Sequence, residues 1–505
     1  MLSSLKQQFF RLRAVVASKP ARHLMLGALI WQAGTALPVM AAPQYVNSLV
    51  IPGNTPDLSA GSTANNGRFG AFSDLYYLPS LNQWFGLSDR GPGGGTISYN
   101  TRLQRFSLDV DKTTGAISNF QLQQTILFRK GGTPFNGLAP APAGVLGSSF
   151  DPEGFVVLPR SGNYLVSDEY GPSLYEFNPA GQWIRSFSVP TNVVPKSGGS
   201  VDYTASPKPG TLTSGREGNR GLEGLAVSPD GRFAYAMLQN GVITDGVSSG
   251  SSFARSRYTR ILKYDVDSGS VVGQYAYQLA STVQGRGISA LVALDDHRFM
   301  VIERNNRGVG VNSTLDSPDK NVFLIDLNGA SDVSLDNLTT PLGLGINPVS
   351  KSSSALIDLD FNTIAAFNNK SPEKWEGLAV GPRLNDGSYL LLAGTDNDYS
   401  VTQNSSNKQF DVYFNPSNGT RLQCDLDAIT NCYAIDASGN TGTANNGTLP
   451  SGYQLIPSLL QGYKASVADL GGYTPPTAPT PGPLPLLGGL SALGWTRRLR
   501  RRLRR

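Results

Sequence analysis

The sequence predicts an all-β fold, a β-propeller of six four-stranded blades. Three observations carry this. Five segments repeat one pattern, Gly and Pro are frequent at 57 and 33 of 505 residues, and long amphipathic helical periodicity is scarce.

Each segment has a polar or acidic opening, a short apolar strand, a turn, a second apolar strand and a polar close. The first runs from Ser73-Asp74-Leu75 to Ser88-Asp89-Arg90, the second from Asp151-Pro152-Glu153-Gly154 to Ser167-Asp168-Glu169. The third runs from Leu222-Glu223-Gly224-Leu225 to Gln239-Asn240, the fourth from Ile288-Ser289-Ala290-Leu291 to Glu303-Arg304. The fifth runs from Trp375-Glu376-Gly377-Leu378 to Thr395-Asp396-Asn397-Asp398. Residues 103–120, 175–187 and 261–275 each add a second hairpin, and two hairpins in series make a blade. A sixth unit is expected where residues 45–51 pair with residues 453–460, closing the ring through the two ends of the chain.

The termini read as targeting devices. Five basic residues and an apolar run over 24–36 precede the small residues around Val39-Met40-Ala41, the pattern of a secretory signal. Near the other end a Pro/Thr-rich stretch leads into a short apolar segment and seven arginines within the last nine residues. That apolar segment is about half the ~20 residues a spanning helix needs. The expected organisation is a signal peptide over 1–42, a propeller over 43–470, a linker over 471–485 and a sorting tail over 486–505. Cys424 and Cys432 would close a small loop if oxidised, which an exported protein permits; two free thiols are the alternative.

Charge narrows the function. Of 42 basic residues, twelve lie in the two terminal segments, leaving 30 against 37 acidic and a net charge of −7 for the body. An acidic body argues against nucleic-acid binding, which needs a basic footprint.

The repeat also predicts where chemistry sits. In an antiparallel hairpin the start of the first strand and the end of the second lie together. Glu153, Glu223 and Glu376 should therefore share one face with Asp89, Asp168, Glu169, Glu303, Asp396 and Asp398. Crowded carboxylates repel one another unless cations compensate. Arg90, Arg220 and Arg304 fall in the same clusters and suit either neutralisation or an anionic ligand. Oxygen ligands without His or Cys favour calcium or magnesium over zinc.

Several of these motifs together resemble the phytase-like family, described as "esterase-like activity of phytase". They are Ser88-Asp89-Arg90-Gly91, Asp151-Pro152-Glu153-Gly154, Ser167-Asp168-Glu169-Tyr170-Gly171-Pro172, Asn219-Arg220-Gly221-Leu222-Glu223-Gly224-Leu225, Glu303-Arg304, Glu376-Gly377-Leu378 and Thr395-Asp396-Asn397-Asp398. The resemblance spans roughly residues 45–465. It implies a propeller and a calcium-dependent hydrolase of phosphate or other esters acting on a small anionic substrate. The expected roles are catalysis for Glu153, Glu223, Arg90, Arg220 and Arg304. Asp89, Asp168, Glu169, Glu303, Glu376, Asp396 and Asp398 are the expected metal ligands. The competing reading is a non-catalytic surface module with structural calcium. The tail resembles the PEP-CTERM class of bacterial sorting signals, with Pro481-Gly482-Pro483 where Pro-Glu-Pro is usual. That implies export in a bacterium, processing by a signal peptidase and an exosortase, and transient membrane contact.

Two other motifs are discounted. Gly246-Val247-Ser248-Ser249-Gly250 fits a nucleophile elbow, but His297, the one histidine outside the signal, sits in a turn expected at the far end. Residues 109–120 and 265–276 suggest calcium loops but end in Phe120 and Ala276 where an acid is required.

Overall fold

The computed structural model describes residues 42–59, 67–204, 211–249, 252–340, 344–445 and 447–476. Apart from Ala42 the expected signal peptide lies outside them, as do the linker beyond Pro476 and the expected sorting tail. Among the described residues there is no α-helix, only strands and short 3-10 turns.

Five sheets are built as blades. Blade 1 pairs Asp74–Leu78, Gln83–Leu87, Arg102–Val110 and Ile117–Leu127 in order. Blade 2 pairs Pro152–Val157, Tyr164–Asp168, Leu174–Phe177 and Trp183–Ser186. Blade 3 pairs Leu222–Val227, Phe233–Leu238, Tyr258–Asp265 and Ser270–Gln278. Blade 4 pairs Gly287–Ala293, Arg298–Arg304 and Lys320–Asp326, with Ser350–Lys351 and Ile357–Asp358 sharing the outer edge. Blade 5 pairs Lys374–Arg383, Tyr389–Asp396, Ser458–Ala465 and Gln44–Ile51.

The apolar residues explain why these sheets form a ring. Side chains alternate across a strand, so each blade offers one apolar face to each neighbour. On blade 2, Val156 packs with Leu225 and Val227 of blade 3, while Phe155 and Val157 pack with Phe85 and Leu103 of blade 1. Ala226 of blade 3 joins Leu291 and Phe299 of blade 4, and Ala290 and Met300 of blade 4 join Leu378 and Leu391 of blade 5. Ala379 and Leu390 of blade 5 complete the circle against Leu75 and Phe106 of blade 1. The first strands of all five blades line one axial cavity of about 50 Å³.

The expected sixth blade is therefore corrected: among the described residues the ring closes with five. The two ends of the chain do pair, Ile51 opposite Ser458 and Tyr45 opposite Tyr463. They form the outer half of blade 5, not a separate unit, because Ser458–Ala465 also pairs with Tyr389–Asp396.

Between those two strands the chain inserts a further sheet. It runs through Val401–Gln403, Gln409–Asn415, Thr420–Asp425, Tyr433–Ile435 and Thr441–Asn445, with Gln454–Leu455 on one edge. A Cys424–Cys432 disulfide ties it together. Its flanks hold two loops that follow second strands and the segment that leads into blade 1. Asp411 receives Arg68, Gln409 donates to Thr96 at 2.7 Å, and Arg421 donates to Gly310 O at 2.7 Å and Ser313 O at 2.8 Å. The ordered fold continues past residue 470 into the expected linker. Tyr473 stacks edge-on against Tyr389 at 5.0 Å, and Thr474 N donates to Leu294 O.

Candidate functional site

The Glu-Gly-Leu repeat has a separate physical reason at each position. In blade 3 the register jumps from Leu222 opposite Leu238 to Gly224 opposite Met237, so Glu223 is an extra, unpaired residue. The same bulge holds Ser289 in blade 4 and Glu376 in blade 5, and blade 2 has its register shift across Glu153 and Gly154. A bulge re-aims a side chain that strict alternation would direct elsewhere. The glycine is demanded by the neighbouring blade. A Cβ on Gly154 would lie 2.6 Å from Leu225 Cβ, one on Gly224 2.8 Å from Leu291 Cβ, and one on Gly377 2.7 Å from Leu75 Cγ. In these three pairs the leucine of one blade seats on the glycine of the blade before it. Blade 1 carries Asp74 instead of glycine, and its carboxylate accepts from Leu75 N at 2.8 Å and Phe155 N at 2.7 Å.

At the mouth, the end where first strands begin, carboxylates and cations interleave. Arg90 donates to Asp151 Oδ2 at 2.6 Å, contacts Asn219, and lies 3.5 Å from Glu169. Arg304 pairs with Glu376 and donates to Asn306 at 3.2 Å. Lys374 Nζ sits 2.8 Å from Asp396 and 2.6 Å from Asp398. Asp89 accepts from Gly91 N at 2.8 Å, and Glu223 accepts from Gln239 at 2.9 Å. Glu153 is 8% exposed, and no hydrogen-bond donor or cation among the described residues reaches its carboxylate.

Electrostatics follow this packing. Burial, then repulsion from Glu223, Asp151, Glu169 and Asp89, pushes Glu153 well above the usual carboxyl range. Burial and the neighbouring acids raise Asp89 and Glu223 in the same way. Burial pushes Glu169 and Asp398 up to about 7, against the pull of Arg90 and of Lys374 respectively. Asp398 opens a run of three left-handed residues, with φ of 50°, 55° and 58° at Asp398, Tyr399 and Ser400. Such residues cost about 1–2 kcal/mol each. Asn397 caps the run, accepting from Tyr399 N at 3.1 Å and donating to Ile456 O at 2.9 Å.

The structure brings together Asp89, Glu153, Glu169, Glu223, Glu376, Asp396 and Asp398 with Arg90 and Arg304. It sets two expected site residues apart. Asp168 accepts from Asp151 N, Tyr170 N and Gly171 N, so its oxygens hold a turn. Glu303 accepts from Tyr277, Ala280 N, Arg286 and Lys351, which saturates it between blades 3 and 4. Protein donors thus already fill the oxygens of both residues, which the sequence offered as metal ligands. Arg220 donates to Gln239 at 3.1 Å and to Asn240 and lies 3.5 Å from Glu217, and it still feels the charges of Glu169 and Arg304 at the mouth. Two residues at the mouth went unassigned in the sequence. Asp151 was visible within its motif. Lys374 lies directly before Trp375-Glu376-Gly377, and nothing in a lone lysine signals its role. The discounted elbow pairs Val247–Ser249 with Ser252–Ala254 in a plain hairpin.

A family model described as "Phytase-like: Esterase-like activity of phytase" matches residues 67–399, which carry every carboxylate of the mouth. The chain belongs to the phytase-like family. It is also similar to an "Uncharacterized secreted protein" of Arthroderma benhamiae, at 26% identity over 417 residues covering 65% of this chain and 80% of that protein. Among solved structures it is similar to a glycoside hydrolase family 43 arabinoxylan arabinofuranohydrolase from Bacillus subtilis. The identity is 11%, over 81% of this chain and 94% of that one, with a TM-score of 0.35. An exo-β-1,3-galactanase from Phanerochaete chrysosporium matches at 12% identity, over 79% and 71%, with a TM-score of 0.34. Scores this low carry no argument, and the phytase-like propeller described above rests on its own strand pairing.

Proposed function

We propose that this phytase-like propeller is exported, binds a divalent cation in its acidic mouth, calcium first, and hydrolyses phosphate esters. The observation that carries the reading is Glu153, a buried carboxylate with no donor, set among other acids. Oxygen donors alone suit a hard cation, and Glu153, Asp89 and Asp151 offer three within reach of one ion. When bound, calcium supplies the charge that polarises a phosphoryl oxygen and lowers the pKa of water.

The chain's own residues supply the rest. Glu223 is the general base, because burial and the nearby Glu169 and Glu376 raise its proton affinity. Arg90 and Arg304 hold the anionic oxygens. Each keeps a buried Nε–H that has no acceptor among the described residues. Arg220 supports the rim through Gln239, which also donates to Glu223.

Export is supported by the basic and apolar N-terminus, by the disulfide, and by the Arthroderma relative, named as a secreted protein. We propose the boundaries given above for the signal, linker and tail, with a signal peptidase and an exosortase-like enzyme as processing partners. The tail would give transient membrane contact in a bacterial host. A second reading, a non-catalytic surface module with structural calcium, is favoured by one observation: Arg90, Arg304 and Lys374 are all already paired with acids.

The test is turnover of phytate, an aryl phosphate, a phosphodiester and an aryl acetate by the full chain in calcium. Glu223→Gln should lower kcat about 100-fold or more with folding and calcium binding intact, and Arg220→Ala less. No turnover on any of the four would favour the binding module.

A further inference from the structure

The mouth contains two groups of three carboxylates, each with ligand oxygens within 4.8 Å of one another. One is Asp89, Asp151 and Glu153; the other is Asp89, Asp396 and Asp398. Asp89 belongs to both, and the two groups differ in what already fills them. In the first, Glu153 is unpartnered and buried while Arg90 touches only Asp151 and not its companions. In the second, the ammonium of Lys374 lies between Asp396 and Asp398, at 2.8 Å and 2.6 Å.

We propose that the mouth takes one divalent cation, at Asp89, Asp151 and Glu153, and that Lys374 stands in for a second at Asp89, Asp396 and Asp398. This rests on the cation-binding part of the reading above and not on turnover. The ammonium is a compact point charge with three donors, the side chain closest to a small metal ion. Its placement is built in. Lys374 is registered opposite Asp396 by strand pairing, and the left-handed run at Asp398 brings the second carboxylate to it. Two divalent ions sharing one carboxylate would lie roughly 4 Å apart. Replacing one by a single charge halves their mutual repulsion, since the Coulomb energy scales with the product of charges. The covalently held cation also cannot be chelated, so this half of the mouth stays neutralised when metal is scarce.

The stoichiometry of calcium alone, measured on the full chain by calorimetry and by metal analysis after dialysis, tests this. Wild type should bind one calcium, and Lys374→Arg should also bind one. Lys374→Met should bind two, because removing the ammonium opens the second group. Glu153→Gln should weaken the wild-type site roughly 100-fold. If Lys374→Met folds only when purified in calcium, its bound calcium is counted in that state. Lys374→Ala, which leaves more room for a hydrated ion, is measured in parallel. Two calcium ions in wild type, or one in both neutral Lys374 variants, would overturn the inference alone. No calcium in wild type would overturn it together with the cation-binding part of the proposed function.

Discussion

The same five inner strands end in opposite chemistry. Where they begin, Glu153, Glu223 and Glu376 stand on bulges among further acids and three paired cations. Further along, Leu75, Val156, Val227, Val292 and Val380 line a mostly apolar cavity, with Asp74 on its wall and Tyr473 and Pro476 reaching it. One end is packed for stability; the other concentrates like charge that packing alone would not favour. The boundary between them is one residue wide, the glycine that follows each bulged glutamate. A propeller can thus hold an electrostatically costly site because the apolar contacts that close the ring begin immediately beneath it.

Substitutions should separate the two ends. The largest effect is expected just below the mouth. Gly377→Val would drive its side chain into Leu75, where even a Cβ lies at 2.7 Å. A loss of about 3 kcal/mol is expected, read as a lower Tm by the same amount in calcium and in chelator. A calcium-dependent loss would mean that the two ends are not separable.

Next comes Glu153→Gln. In chelator it should stabilise the fold by about 1–3 kcal/mol, since burial and the neighbouring acids penalise the ionised form of Glu153 and the amide carries no charge. It should also abolish the rise of Tm with calcium that binding to the native state alone produces. Denaturant unfolding of both proteins at two calcium levels measures both effects.

The pH dependence sharpens the contrast. Glu169 and Asp398 have folded pKa values raised to about 7, above those of the unfolded chain. For acids the sign is then fixed: the folded state binds protons more tightly, so stability is gained as pH falls from about 7 towards 5. In chelator Tm should rise across that window. In saturating calcium, which favours the ionised forms, the rise should shrink or reverse. A flat profile in chelator would mean that the mouth is not electrostatically loaded.

The smallest effect belongs to the far end. Tyr473→Ala removes one edge-on ring contact with Tyr389 and should cost about 1 kcal/mol. Calcium affinity should be unchanged.

Much of this layout is legible in the sequence, for stated reasons. Glu153, Glu223 and Glu376 recur at one place in a repeat, and antiparallel pairing sends repeat starts and ends to the same side. Glu303 misleads because a strand end does not reveal which face a side chain takes. Directly opposite Ile288, it meets Tyr277 and Lys351, not the axis. Lys374 is invisible because its partners lie on the neighbouring strand and on a left-handed turn. The blade count fails for a topological reason: the inserted sheet separates Tyr389–Asp396 from Ser458–Ala465, so the outer half of blade 5 reads as a unit of its own.

That closure also bears on assembly. Gln44–Ile51 is synthesised before any blade, yet its partner strand Ser458–Ala465 is among the last made. Until it arrives, Tyr389–Asp396 keeps an open edge available to other chains, a recognised aggregation hazard. Pairings this distant in sequence also form slowly. A chain that ends before Ser458 therefore has all five inner strands but only the inner half of blade 5, with the edge of Tyr389–Asp396 left open.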